Sequence, residues 1–341
     1  MSWLRHIKVG ILGIFVSLIA ICFIVVQINI ERFISALRDA DYRFLIPCML
    51  FLVLGLFTRA IRWQVLLSKQ IPFKRAFSIM NVAYLVNGIL PLRIGEVARI
   101  YLITRLQNPI PVMQTASTIV VERLLDLLAV VVMMFLALTV APVPPSLQTA
   151  GAVGAIMAII GFFVLIMLAK NRQFTEHIIT QLINHITILQ RAKLDKLAAD
   201  FFDGLMPIID LRALSQAIFW TAISWILSII AGYILMFAFF DSGSWVATML
   251  YIAAAAFAIA VPAVPGNIGT YEASILLALS ALSYEQSDTA IAFAIAVHAV
   301  NVFVHATTGM IGFMQEGISL SQLQTGVRHI QQPSTSQTQG L

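Results

Sequence analysis

Apolar runs of about twenty residues recur along the chain, and they decide what it can fold into. A hydrocarbon core about 30 Å thick takes about 20 helical residues to cross. Backbone inside it must be hydrogen-bonded within helices or a closed barrel. Full-length runs lie at 9–28, 44–67, 118–140, 150–169, 216–240 and 289–314. A run at 246–262 is shorter and ends at Pro262, and 76–90 (ending at Pro91) and 270–283 are too short to cross alone. The expected fold is an all-α integral membrane protein of about seven to eight transmembrane helices. Composition agrees, with 60% of the 341 residues hydrophobic and 11% charged, against about 25% charged in soluble domains. A single soluble core is excluded.

Cations set the expected orientation. Arg5 and Lys8 put the N-terminus inside, as do Lys69, Lys74 and Arg75 for the loop after the second run. The largest cluster lies in 170–215, also inside, whereas 141–149 and 241–245 contain no cation and belong outside. Loop 29–43 dissents with Arg32, Arg38 and Arg43, partly offset by Glu31, Asp39 and Asp41. The first run lacks a small-residue cleavage site and reads as an uncleaved span. The net charge of +5 is scattered and forms no basic face of the kind nucleic acid requires. Cys22 and Cys48 sit in apolar runs and make no disulfide framework or metal pair, so neither metal nor cofactor is expected.

Residues 1–315 read as one transmembrane domain. Within it, 174–210 repeats apolar residues at helical spacing, as one or two amphipathic helices on the cytoplasmic membrane surface would. A plain solvated connector is the alternative. The Gln-, Ser- and Thr-rich tail, 316–341, is expected to be disordered.

A short internal echo constrains the architecture further. Pro91-x-x-Ile94-Gly95 recurs as Pro265-x-x-Ile268-Gly269, 174 residues later, each time in a sub-length apolar segment. Three full runs lie between the two, an odd number, so the hairpins are expected to enter from opposite sides as an inverted repeat of re-entrant hairpins. Broken segments at matching positions of two halves point to a transporter's midplane site. Helices restarting at Gly95 and Gly269 would turn N-terminal N–H groups, which bind anions, toward the cavity.

Ionisable residues at membrane depth are costly and usually face a cavity or one another. Arg59 and Arg62 lie one turn apart and are either site residues or snorkelling cations. Arg93, Glu96 and Arg99 alternate in sign on one helical face. Glu122 and Asp126 are an i, i+4 like-charge pair beside Arg123 and need a neighbouring cation. Arg93, Arg99 and Arg123 are the expected phosphate ligands, with planar guanidinium forks suited to it. Glu272 follows the second break and should find Arg93 or Arg99. His298, Asn301 and His305 share a face of the last span, as packing residues or as a pH-sensitive site. Asn87, with Asn81 and Tyr84, lines the first short helix, and Asn267 sits in the second break. No P-loop, nucleophile elbow or zinc motif occurs, so no catalytic residue is assigned.

The ordered set Asn87-Gly-Ile-Leu-Pro-Leu-Arg-Ile-Gly-Glu-Val-Ala-Arg99, Glu122-Arg-Leu-Leu-Asp126 and Pro265-Gly-Asn-Ile-Gly-Thr-Tyr-Glu272 resembles the lysylphosphatidylglycerol synthase transmembrane-region family over roughly 10–315. That resemblance implies a flippase-like module moving a phospholipid, with an anionic or aminoacylated head group, between leaflets. The alternative it leaves open is a membrane-embedded transferase acting on a lipid phosphate or lipid-linked sugar. The chain has no C-terminal soluble synthase domain, so aminoacyl transfer does not carry over. The expected partner is a membrane phospholipid in the cytoplasmic membrane of a prokaryote, with both termini inside. A separate lipid-modifying synthase and a second copy of the chain are protein partners this reading leaves open.

Overall fold

The computed structural model describes residues 30–90, 93–140, 145–176, 194–260, 265–282, 284 and 288–331, which form helices and turns with no strand among them. The expected span at 9–28, like Pro91 and Pro262, lies outside the described residues. In chain order the helices are α1 (Ile30–Asp39), α2 (Leu45–Leu66), α3 (Phe73–Ile89), α4 (Ile94–Thr104), α5 (Val112–Leu138) and α6 (Pro145–Lys170). Then follow α7 (Leu194–Ile209), α8 (Leu211–Met236), α9 (Trp245–Ala260), α10 (Thr270–Ser280), α11 (Asp288–Glu316) and α12 (Leu320–Gln331).

Among the described residues, four helices are long and apolar enough to cross a membrane: α2 with the turn before it (Tyr42–Leu66), α6, α8 and α11. With 27 residues α5 has the length too, but it carries Glu122, Arg123 and Asp126. The spans keep large apolar side chains on the outside, among them Ile156, Ile159, Ile160 and Phe163 of α6. Contiguous apolar surface of that kind marks a face that meets lipid rather than water.

Local chemistry sets the boundaries. Pro72 and Pro111 immediately precede α3 and α5, where a missing backbone N–H costs nothing. Asp210 accepts the Arg212 and Ala213 N–H groups, which ends α7 and starts α8.

The echo in the sequence is a repeat in space. The first break separates helices of 17 and 11 residues, α3 and α4, and the second separates helices of 16 and 11, α9 and α10. Arg93 and Asn267, at equivalent positions of the two motifs, both have φ 54°. Packing partners repeat as well: α3 lies on α11 as α9 lies on α5, α4 meets α5 as α10 meets α11, and α1 lies on α11 as α7 lies on α5. The equivalent helices α2 and α8 pack against each other. Phe44 stacks on Phe237 at one end while Arg62 donates to Thr221 further along, so they run antiparallel. That is the relation two inverted copies have across a two-fold axis.

Two expectations are corrected. The stretch expected to lie on the membrane surface is described from 194 onward as α7, and its apolar stripe is turned into the protein. Phe202, Leu205 and Ile208 are buried with Val121 and Leu125 of α5 and Leu165 of α6. Protein, and not lipid, satisfies its amphipathic pattern. The tail expected to be disordered from 316 instead forms α12 over Leu320–Gln331, because Leu323 and Val327 bury against the α3–α4 core; residues 332–341 lie outside the described residues.

Candidate functional site

The charged residues of the first half converge at the start of α5. Glu122 is fully buried and accepts both Nη atoms of Arg99, at 3.1 and 2.9 Å. Arg123 adds a third contact at 2.9 Å, and Arg62 a fourth at 3.6 Å. One turn on, Asp126 accepts Arg62 Nη1 at 2.6 Å and Nη2 at 3.2 Å, and Trp225 Nε1 at 3.2 Å. Arg62 donates further to Thr221 at 3.1 Å, and the Arg99 guanidinium lies 4.0 Å above the Trp63 ring. The like-charged pair Glu122 and Asp126 is therefore held by three guanidinium groups from α2, α4 and α5. Arg62 is wholly buried and does not snorkel. Arg99, expected to bind phosphate, is committed to Glu122 and Trp63.

Two arginines stand apart. Arg93 precedes α4 in the left-handed region and has no ion pair among the described residues. The charges that act on it most are those of Arg123 and Glu96. Arg59 donates to Ser228, at 3.4 Å, lies 5.7 Å above the Trp225 ring, and has no ion pair among the described residues. Arg123 keeps a third of its side chain exposed. Three guanidiniums on two carboxylates leave one positive charge; Arg93 adds a second, and Glu96 removes one.

The restarting helices do not present free amides at their glycines. Asn87 Oδ1 accepts Gly95 N–H at 2.7 Å while its Nδ2 donates to Glu96 at 3.3 Å. In the second half Glu272 accepts Gly269 N–H, also at 2.7 Å. A side-chain oxygen occupies the equivalent amide in both halves.

Glu272 does not meet Arg93 or Arg99, as expected above. Its other oxygen lies 2.6 Å from His298 Nδ1 on α11, and the Tyr271 ring covers His298. The donor it needed was on its own half, 26 residues on. Of the other two residues on that face, Asn301 donates back to Val297 and His305 stacks on Tyr84 of α3. Asn267 accepts the Thr270 hydroxyl through its carbonyl and serves the turn. That turn, Pro265–Asn267, packs on α3, where a Cβ on Gly266 would come within 3.3 Å of the Gly88 carbonyl oxygen. The two breaks meet there.

Trp63, Thr221 and Trp225 were not singled out from the sequence, yet they complete the cluster. Ala217, Thr221, Ser224 and Ser228 fall at spacings of four, three and four on α8, a small and polar stripe that signals a close helix contact.

No curated protein matches the chain. Residues 10–309 match the family described as Lysylphosphatidylglycerol synthase TM region, and the chain, a multi-pass helical membrane protein, belongs to that family.

Proposed function

We propose that the chain moves a phospholipid between leaflets, with the lipid phosphate taken at Arg93 and Arg123 where the two breaks meet. One observation carries this reading. At the position where the second half has Asn267, a residue at ease in left-handed backbone, the first half holds an arginine in the same conformation, φ 54°. A bulky side chain there is strained by about 1 kcal/mol, and Arg93 recovers no ion pair for it among the described residues. Strain kept without a structural return is what a ligand-binding residue shows.

The net positive charge suits a phosphodiester, which brings one negative charge and oxygens that a guanidinium fork can grip. Arg59 and Trp225 continue the polar surface from Asp126 toward α8. Alternating exposure of the site to the two leaflets follows from two inverted hairpins that touch at their breaks. In this orientation both termini are cytoplasmic and the membrane is the cytoplasmic one. The transferase reading needs a free carboxylate as general base, and Glu122 and Asp126 are both occupied by arginines.

The test is transbilayer movement of a fluorescent phospholipid in liposomes carrying purified protein. Arg93→Asn, which copies the second half, should abolish movement while raising unfolding stability by about 1 kcal/mol. Arg93→Lys should restore movement only in part, because an ammonium keeps the charge and loses the fork. Wild-type rates in Arg93→Asn would overturn the assignment.

A further inference from the structure

The two halves tie their short helix to the following long helix in the same place, with the charges exchanged. In the first half the cation, Arg99, is on short α4 and the carboxylate, Glu122, on long α5, 2.9 Å apart. In the second half the carboxylate, Glu272, is on short α10, and its partner on long α11 is His298, at 2.6 Å. Arginine stays protonated at any working pH, whereas a histidine ordinarily changes charge between about pH 5 and 8. One tie is fixed and its counterpart is titratable.

We propose that Glu272 and His298 form a proton-binding site, and that the proton held there sets how firmly α10 is fastened to α11. The site is independent of what the arginines bind. Glu272 Oε2 is used by Gly269 N–H, at 2.7 Å, and Oε1 meets His298 Nδ1, at 2.6 Å. About a tenth of each side chain is exposed, so a proton can reach the pair while little water screens it. With neutral His298 the contact is a hydrogen bond to an ionised carboxylate; protonation of the ring adds the attraction of an ion pair where little water screens it.

The other groups facing α11 leave that pairing undisturbed. Tyr271 of α10 lies over the His298 ring, Tyr84 of α3 is taken by His305, and Arg75 of α3 pairs with Glu316. Arg59 of α2 acts on His305, two turns away. The charged residues of α1 (Glu31, Arg32, Arg38 and Asp39) are exposed, as is Arg212 of α8. Proton binding at the pair therefore tightens α10, and loss of the proton weakens the tie. Because the Pro265–Asn267 turn at the head of α10 rests on α3, loosening it loosens the contact between the two breaks.

Amide hydrogen exchange of 269–280 and 94–104 in nanodiscs, corrected for the intrinsic pH dependence of exchange, tests this without any lipid-transport assay. Opening of 269–280 should rise about fivefold between about pH 5 and 8, while 94–104 stays level. His298→Asn keeps a donor but cannot titrate, and should flatten the response; Glu272→Gln should do the same if the first variant folds poorly. A level response in the wild-type protein, or a pH dependence that survives in either folded variant, would overturn the proposal.

Discussion

Gly95 and Gly269 hold the same place in the two halves, yet each is required for a different reason. Gly95 is helical and packed so tightly that a Cβ would stand 2.1 Å from the Ala83 carbonyl oxygen. Gly269 sits at φ 87° ahead of α10, where an L side chain is strained. One residue earlier in each motif the helix begins differently as well: Ile94 already opens α4, whereas α10 starts only at Thr270. The first break spends its geometry on close packing and on a cluster of charges. The second carries a single carboxylate, Glu272, at the start of α10. A shared backbone plan has been kept while the chemistry has been divided, and the charged work falls to the first half.

The largest expected effect separates the two carboxylates. Glu122→Gln takes a carboxylate from three guanidiniums, two of them buried, leaves Arg99 without its ion pair, and should cost about 3–5 kcal/mol. Glu272→Gln keeps an amide oxygen for one of its two contacts, loses the other, and should cost about 1 kcal/mol. Thermal unfolding of the two variants in the same detergent reads the difference, and equal losses would break the asymmetry. The glycines sharpen the comparison at smaller amplitude. Gly95→Ala must push α4 away from α3, for about 2–3 kcal/mol, while Gly269→Ala should cost about 1–2 kcal/mol through backbone strain. Trimming Asn87 to Ala in the Gly95→Ala background should recover part of the first loss, because its side chain is the other atom group in the way; it should do nothing for Gly269→Ala.

Much of this was legible in the residues themselves. Apolar run length gave the spans α2, α6, α8 and α11, and the repeated Pro-x-x-Ile-Gly located both breaks. The i, i+4 pair Glu122 and Asp126 announced a cluster of cations, because like charges on one helix face need neutralising. Which arginine serves which purpose was not legible. Arg93 and Arg99 lie six residues apart on what reads as one helical face, and only the left-handed start at Arg93 turns the first of them out of the cluster. Glu272 meets His298 rather than a cation of the first half, because α10 packs on α11, a contact that sequence distance does not reveal. The stripe on α7 looked like a membrane-surface pattern, since amphipathicity states that one face is apolar and leaves open whether protein or lipid covers it.

The inverted relation of the halves is the claim on which lipid passage rests, and cysteine labelling tests it most directly. Single cysteines placed at Leu106, after α4, and at Ser244, before α9, in a background lacking Cys22 and Cys48, are exposed to a membrane-impermeant thiol reagent in sealed right-side-out and inside-out vesicles. Leu106→Cys should label from the cytoplasmic side and Ser244→Cys from the outside. Labelling of both from the same side would contradict oppositely entered hairpins, and with them the alternating passage built on their contact.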